Sequence, residues 1–311
     1  MGLLFGAVLA YASKKFAVEI DERVEAIVEV LPGANCGGCG FPGCSGLASA
    51  IVEGKASVNA CPVGGSECAT KIGDIMGVSS DAGEKVVAKV ICKGNCTVAK
   101  DKYKYEGIVD CRAASALNGG TKSCRYGCLG LGTCASACKF DAIKIVNGVA
   151  IIDEEKCVMC GKCIEVCPKG VIEKKPVKNE VVVECNSKAF GKVVKDSCTV
   201  GCIGCGICSK SCPFEAIKME GKLAKIDYNK CVQCMVCVEK CPTKAIKGNI
   251  GNRKKVFIEE EKCVGCTICK KQCKFDAIEG ELKQKHKVEQ NKCVGCHECI
   301  QKCPKKAIKI I

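Results

Sequence analysis

The chain has 311 residues, 34 of them cysteine, with no tryptophan and only 4% aromatics. Length alone suggests about two domains, yet so few large apolar side chains would leave small modules short of core unless inorganic cross-links replaced part of it. The formal net charge of +14 invites a nucleic-acid reading, but that count treats every thiol as neutral, so its meaning depends on what the cysteines hold. A disulfide framework is the usual meaning of this much cysteine in a short secreted chain. It fits poorly, because the cysteines recur in metal-type spacing and no basic n-region with a small-residue cleavage site precedes the first module.

Residues Met1 to Ser13 are almost wholly apolar and run straight into Lys14 and Lys15. A hydrophobic membrane anchor is expected over 1–20. At 1.5 Å per residue its apolar part spans about 20 Å, short of the ~30 Å hydrocarbon core, which makes it a truncated, partial or interfacial anchor, with a buried N-terminal helix as the competing reading. The two lysines would leave the rest of the chain on the cytoplasmic side.

From Asp21, the residues Val24, Ile27, Val28 and Leu31 recur at helical intervals until Pro32 and Gly33. Short helical stretches over Leu47 to Glu53 and Glu67 to Met76 flank Cys36, Cys39, Cys44 and Cys61, spaced CxxCx4Cx16C within GANCGGCGFPGC. Residues 21–90 are therefore expected to form a small helical module around one [4Fe–4S] cluster. Gly37, Gly38, Gly40 and Gly43 would let the backbone approach the cluster and aim amide N–H groups at its sulfides. Zinc remains the alternative, since four cysteines alone do not distinguish the metals.

Residues 91–123 read as a connector that carries Cys92, Cys96 and Cys111. Beyond it lies internal repetition. Six segments share one plan, and four of them, beginning at Cys157, Cys231, Cys263 and Cys293, have a preceding Lys and the spacing CxxCxxCxxxC. Five continue with Ala-Ile at the fourth and fifth positions after the last cysteine (Ala142-Ile143, Ala216-Ile217, Ala245-Ile246, Ala277-Ile278 and Ala307-Ile308), and the sixth has Val171-Ile172. Paired segments are separated by β-prone runs such as Ile143 to Ile152, joined by Asn147-Gly148, a strong hairpin signal. The fold class is α+β, with three tandem ferredoxin-like modules over 124–180, 181–250 and 251–311, each holding two clusters.

A [4Fe–4S] cube needs four thiolates at tetrahedral corners. In bacterial two-cluster ferredoxins three come from one tight loop, and the fourth cysteine of the run ligates the other cluster. Ligands are therefore assigned crosswise. Cys157, Cys160 and Cys163 take Cys138, while Cys124, Cys128 and Cys134 take Cys167. Cys263, Cys266 and Cys269 take Cys303, and Cys293, Cys296 and Cys299 take Cys273. The segments at 124–138 and 198–212 depart from the pattern in the same way, sharing the frame CxxxCxxxxxCxxxC, with Cys205 in the second where the first has Leu131. Normal spacing favours Cys202, Cys205 and Cys208 with Cys241, and Cys231, Cys234 and Cys237 with Cys212. Pro comes directly after the fourth cysteine at 168, 213, 242 and 304, whereas Lys139 and Lys274 replace it elsewhere.

That makes seven sets. Of the remaining cysteines, Cys92, Cys96 and Cys111 lie close enough in sequence to suggest an eighth site lacking an obvious fourth ligand, the spare Cys198 is a further candidate, and Cys68 and Cys185 have no assignment; free structural thiols are the bland reading. His297, between Cys296 and Cys299, reads as a solvated side chain. Gly127, Gly130 and Gly132 fall between ligands and do not form a dinucleotide fingerprint. No acid–base pair, nucleophile or phosphate loop stands out, so no independent catalytic centre and no flavin or NAD site is expected on this chain.

Seven oxidised clusters with their thiolates would each carry about −2, roughly −14 in all, cancelling the +14. The lysines then read as compensation, and nucleic-acid binding fails on charge and on the scarcity of aromatics for base stacking. Clusters with four cysteine ligands have no open coordination site, and a row of them makes an electron conduit.

The stretches FGAVLAYASKKFAVE and LPGANCGGCGFPGC, with Cys61-Pro62 and Gly64-Gly65, then YEGIVDCRAA, CRYGCLGLGTC and GCIGCGIC, resemble the B subunit of the Rnf ion-translocating ferredoxin:NAD oxidoreductases in its cysteine-rich form from anaerobic bacteria. The resemblance covers essentially the whole chain. It implies electron entry from reduced ferredoxin and relay into an inner-membrane complex whose other subunits hold flavins and reduce NAD⁺, coupled to Na⁺ or H⁺ export. A soluble polyferredoxin serving a hydrogenase or disulfide reductase is the main competitor and predicts no membrane association. A corrinoid-linked iron–sulfur protein shares a similar N-terminal motif, but no large α/β barrel sequence comes after it here.

Overall fold

The computed structural model describes residues 21–79 and 84–311, with Gly6 and Tyr11 as isolated positions. The expected anchor thus lies, apart from those two residues, outside the described part, and among the described residues no helix is long and apolar enough to cross a membrane. The chain divides into two compact units, one of residues up to Lys85 together with Val158–Cys160, the other of Val86–Cys157 with Gly161–Ile311.

The first unit is helical. Asp21 caps helix α1 (Glu22–Val30) by accepting from the Arg23 amide at 2.9 Å, and Glu22 and Glu25 in the first turn favour the positive end of the helix. Helices α2 (Gly43–Val52) and α3 (Gly65–Met76) come next, the latter ended by Gly77 in the left-handed region. Ile27, Leu31, Leu47, Ile51 and Ile72 meet in one buried cluster, with Cys39, Cys44 and Cys61 packed against it. Of the face read from the sequence, Ile27 and Leu31 bury and Val24 packs against them, whereas Val28 is exposed; the cysteine loop is anchored on the same cluster.

The second unit repeats one sheet plan three times. Strand β1 (Val86–Val90) pairs antiparallel with β4 (Ile172–Pro176), enclosing the hairpin β2 (Ile143–Val146)–β3 (Val149–Ile152). Strand β5 (Val182–Val183) pairs with β8 (Ile246–Lys247) around the hairpin β6 (Ile217–Glu220)–β7 (Leu223–Ile226). Strand β9 (Val256–Ile258) pairs with β12 (Ile308–Ile310) around β10 (Ile278–Glu279) and β11 (Lys287–Val288). Asn147 and Gly148 both have positive φ (48° and 72°), the primed turn that Asn-Gly favours. The first module therefore opens at Val86, so the boundaries drawn at 90/91 and 123/124 fall inside it; pairing across some eighty positions leaves no local mark in the sequence.

The modules differ in the segment between the opening strand and the first ligand loop. In the third, Ile258 leads almost directly to Cys263. The second inserts residues 184–201, including helix α7 (Lys192–Ser197), and the first inserts 91–127, including α4 (Cys111–Ala116), in the labelling where α5 (Thr133–Ser136) and α6 (Lys162–Glu165) are the short ligand helices of module 1. The two insertions hydrogen-bond to each other. The Lys93 amide donates to Glu184 O (3.1 Å), Lys100 N to Ser197 O (3.0 Å) and Thr199 N to Val98 O (3.0 Å).

Candidate cluster sites

All six ligand loops share a backbone. The third cysteine of each run (Cys134, Cys163, Cys208, Cys237, Cys269 and Cys299) is buried and sits at the start of a short helix whose preceding cap, two residues earlier, is left-handed: Gly132, Gly161, Gly206, Met235, Thr267 and His297. His297 is thus a turn residue whose half-buried ring has its Nε2 2.7 Å from Lys254 O, and is not the solvated side chain expected. At Gly265, φ is 68° and a Cβ would lie 2.5 Å from Gln284 O, so the loop closes only with glycine there.

The Ala-Ile repeat has a physical cause. The residue before each Ala or Val is left-handed (Asp141, Gly170, Glu215, Lys244, Asp276 and Lys306), which turns the next amide back toward the fourth cysteine. Ala216 N donates to Cys212 Sγ (3.4 Å), Ala245 N to Cys241 (3.3 Å), Ala277 N to Cys273 (3.3 Å) and Ala307 N to Cys303 (3.4 Å). The small side chain is buried at 2% exposure or less in every Ala copy, and the adjoining Ile begins a strand. Hydrogen bonds to sulfur are one of the levers that set cluster potentials.

In modules 2 and 3 neighbouring thiols act on one another's ionisation. Burial, then the neighbouring thiols of Cys202, Cys241 and Cys205, push Cys208 up to about 11. Burial, with Cys234, Cys231, Cys208 and Cys212, takes Cys237 to about 12. Cys269 is raised by burial and by Cys266, Cys303 and Cys263, and Cys299 reaches about 12 through burial with Cys296, Cys273, Cys293 and Cys269. Bound as ligands these cysteines must be thiolates, so metal binding there would release the protons that burial and the neighbouring thiols hold on them. Among the described residues no three His, Cys, Asp or Glu side chains meet closely enough to hold a single metal ion.

Module 1 differs from the expected grouping. A small cavity there is lined by Cys111, Cys128, Cys134 and Cys167, and Cys134 is pushed to about 12 by burial and then by Cys128, Cys111 and Cys167. Cys124, expected in this set, lines a different cavity, with Cys92, Cys185 and Cys198. The reason is α4. Its cap Asp110 accepts from the amides of Arg112 (2.7 Å) and Ala113 (3.1 Å) and from Thr133 Oγ1 (3.1 Å), while Thr133 Oγ1 accepts from Cys111 N (2.6 Å). That clamp sets Cys111 beside Cys134. Leu131 packs against Cys111, Ala114 and Leu129. Cys157, Cys163 and Cys138 lie in the same module, with Cys157 Sγ accepting from Ala88 N at 3.4 Å.

In the first unit, Gly64 N donates to Cys61 Sγ (3.3 Å), and Cys61 is raised by burial and by Cys44 and Cys39. Asn35 Oδ1 accepts from Cys44 N at 2.8 Å and fixes the loop. Cys68 is buried on α3 beside them, pushed to about 11 by burial, then Cys61 and Cys44. Cys96, by contrast, is exposed. His286, which no sequence feature singled out, is fully buried and donates its backbone N–H to Cys263 Sγ (3.5 Å).

Tandem modules of this plan, preceded by a glycine-rich four-cysteine loop, define a multi-cluster iron–sulfur protein of ferredoxin type. Family models agree: one for an Fe-S cluster matches residues 31–63, a 4Fe-4S binding domain 150–173, and 4Fe-4S dicluster domains 201–245, 230–277 and 256–310. The B subunit of the Na(+)-translocating ferredoxin:NAD(+) oxidoreductase complex of Acetobacterium woodii is 48% identical over 230 residues, 74% of this chain and 69% of that protein. The proton-translocating counterpart of Clostridium ljungdahlii is 47% identical over 73% of this chain and 81% of that one. The B subunit of the ion-translocating oxidoreductase complex of Methanosarcina acetivorans is 44% identical over 74% and 88%. The chain belongs to the family of B subunits of the Rnf ion-translocating oxidoreductase complexes.

Proposed function

We propose that this chain takes electrons from reduced ferredoxin and relays them through serial [4Fe–4S] clusters toward the flavin- and NAD-handling subunits of a complex that exports Na⁺ or H⁺. The observation that carries this reading is the sixfold repetition of one ligand-loop backbone over three copies of one sheet plan, with buried thiols and amide N–H groups aimed at sulfur. The sets are Cys36, Cys39, Cys44 and Cys61; Cys111, Cys128, Cys134 and Cys167; Cys138, Cys157, Cys160 and Cys163; Cys202, Cys205, Cys208 and Cys241; Cys212, Cys231, Cys234 and Cys237; Cys263, Cys266, Cys269 and Cys303; and Cys273, Cys293, Cys296 and Cys299.

Four-thiolate clusters supply one-electron transfer with no open coordination site. The chain's own part is to hold them in order and exclude water. Neighbouring sets lie within electrostatic reach of one another: Cys163 acts on Cys134, Cys208 on Cys237, Cys234 on Cys296 and Cys269 on Cys299. An ion-translocating complex works in a membrane, and the apolar segment from Met1 to Ser13 is the part of this chain suited to reach it, with the cluster modules on the cytoplasmic side.

Anaerobic mixing with reduced ferredoxin is expected to bleach the visible absorption of the oxidised chain, and the chain is expected to pellet with membranes from native cells. Absorption that reduced ferredoxin leaves untouched, or a chain found wholly in the supernatant, would favour a polyferredoxin with another donor.

A further inference from the structure

We infer that Cys92, Cys124, Cys185 and Cys198 hold an eighth [4Fe–4S] cluster, seated where the insertions of modules 1 and 2 meet. The inference rests on the proposed cluster-relay reading and adds to it the link between its first and second modules.

The four thiols line one cavity of about 180 Å³. They come as two pairs in equivalent places. Ile91 N donates to Val171 O next to the β1–β4 pair, and Glu184 N donates to Ala245 O next to the β5–β8 pair, so Cys92 and Cys185 are each the residue after the last ladder bond of an opening strand. Cys124 and Cys198 each stand four residues before the next cysteine, Cys128 and Cys202. The equivalence extends to hydrogen bonds: Cys128 N donates to Cys92 Sγ at 3.3 Å, and the backbone N–H of Cys202 donates to Cys185. The third module, which lacks the insertion, has Glu260 and no cysteine at the corresponding place. Two modules thus each contribute two thiols to one space, a division of labour that structural free thiols have no reason to show.

Charge points the same way. Lys122 lines the cavity at 3% exposure and donates to two backbone carbonyls, Gly94 O (2.6 Å) and Gly148 O (2.9 Å). No carboxylate pairs with it among the described residues. A buried ammonium without a counter-charge is costly, and a dianionic cluster with its thiolates would supply that charge. Arg125 also lines the space. The amides of Cys128 and Cys202 tie the site to a ligand set on either side, so it fills the gap between the two modules.

The cysteine inventory then closes, leaving only Cys68 and Cys96 outside any set. Native mass spectrometry of the anaerobically purified full chain should count eight clusters, and seven in the double variant Cys185→Ser/Cys198→Ser, while Cys96→Ser keeps eight. Should the double variant fail to fold, iron analysis of the wild type decides, with about 32 irons per chain expected. Seven clusters in the wild type, one zinc in place of the eighth, or eight clusters surviving in the double variant would overturn the site. A chain with no clusters at all would instead overturn the reading on which it rests.

Discussion

Cys111→Ser is expected to remove one whole cluster, about four irons and four sulfides, from anaerobically purified protein. The spacing of the 124–138 segment nominates Cys124 for this place, but α4 delivers Cys111 to Cys128, Cys134 and Cys167 through the Asp110–Thr133 clamp. The loss should be repaired by a second change. Leu131 occupies the frame position of Cys205, so Cys111→Ser combined with Leu131→Cys is expected to regain the iron. Iron content unchanged in the single variant would return Cys124 to the set.

Stripping iron with a chelator under reducing conditions is expected to abolish the cooperative thermal transition of the second unit while part of the helical signal persists. The two units are built differently. In module 3 the buried cluster comprises only Val256, Ile258, Ala277, Ile278, Ala307 and Ile308 besides three cysteines, and its strands β10 and β11 are two residues long. Isolated strand pairs of that length are not stable in water. Small domains without enough core depend on metal, and metal-binding free energy is then folding free energy. The first unit instead has Ile27, Leu47, Ile51 and Ile72 interlocked between three helices. Circular dichroism followed through melting checks this, and an apo-protein that melts as the holoprotein does would contradict it.

Much of this was legible in the residues. Periodicity over Val24, Ile27 and Leu31 marked the face that buries, and Asn147-Gly148 marked a hairpin, because both signals are local. The Ala-Ile repeat was visible as a pattern, though its cause, an amide turned back onto sulfur, needed the left-handed residue before it. The hidden features were long-range. Strand β1 finds β4 across the whole first module, and nothing in VVAKV names its partner. Cys111 lies outside every spacing rule, since a helix carries it to its neighbours. The shared frame of 124–138 and 198–212 did contain a clue to Cys124 and Cys198, but pairing them with Cys92 and Cys185 required the two insertions to meet.

The central claim is that these thiols hold redox-active cubes in series. A coulometric titration of the full chain, prepared without oxygen and followed by its visible absorption, tests it most directly. The expected result is a brown protein that bleaches as it takes up about one electron per cluster. A colourless protein that accepts no electrons from dithionite would contradict the account.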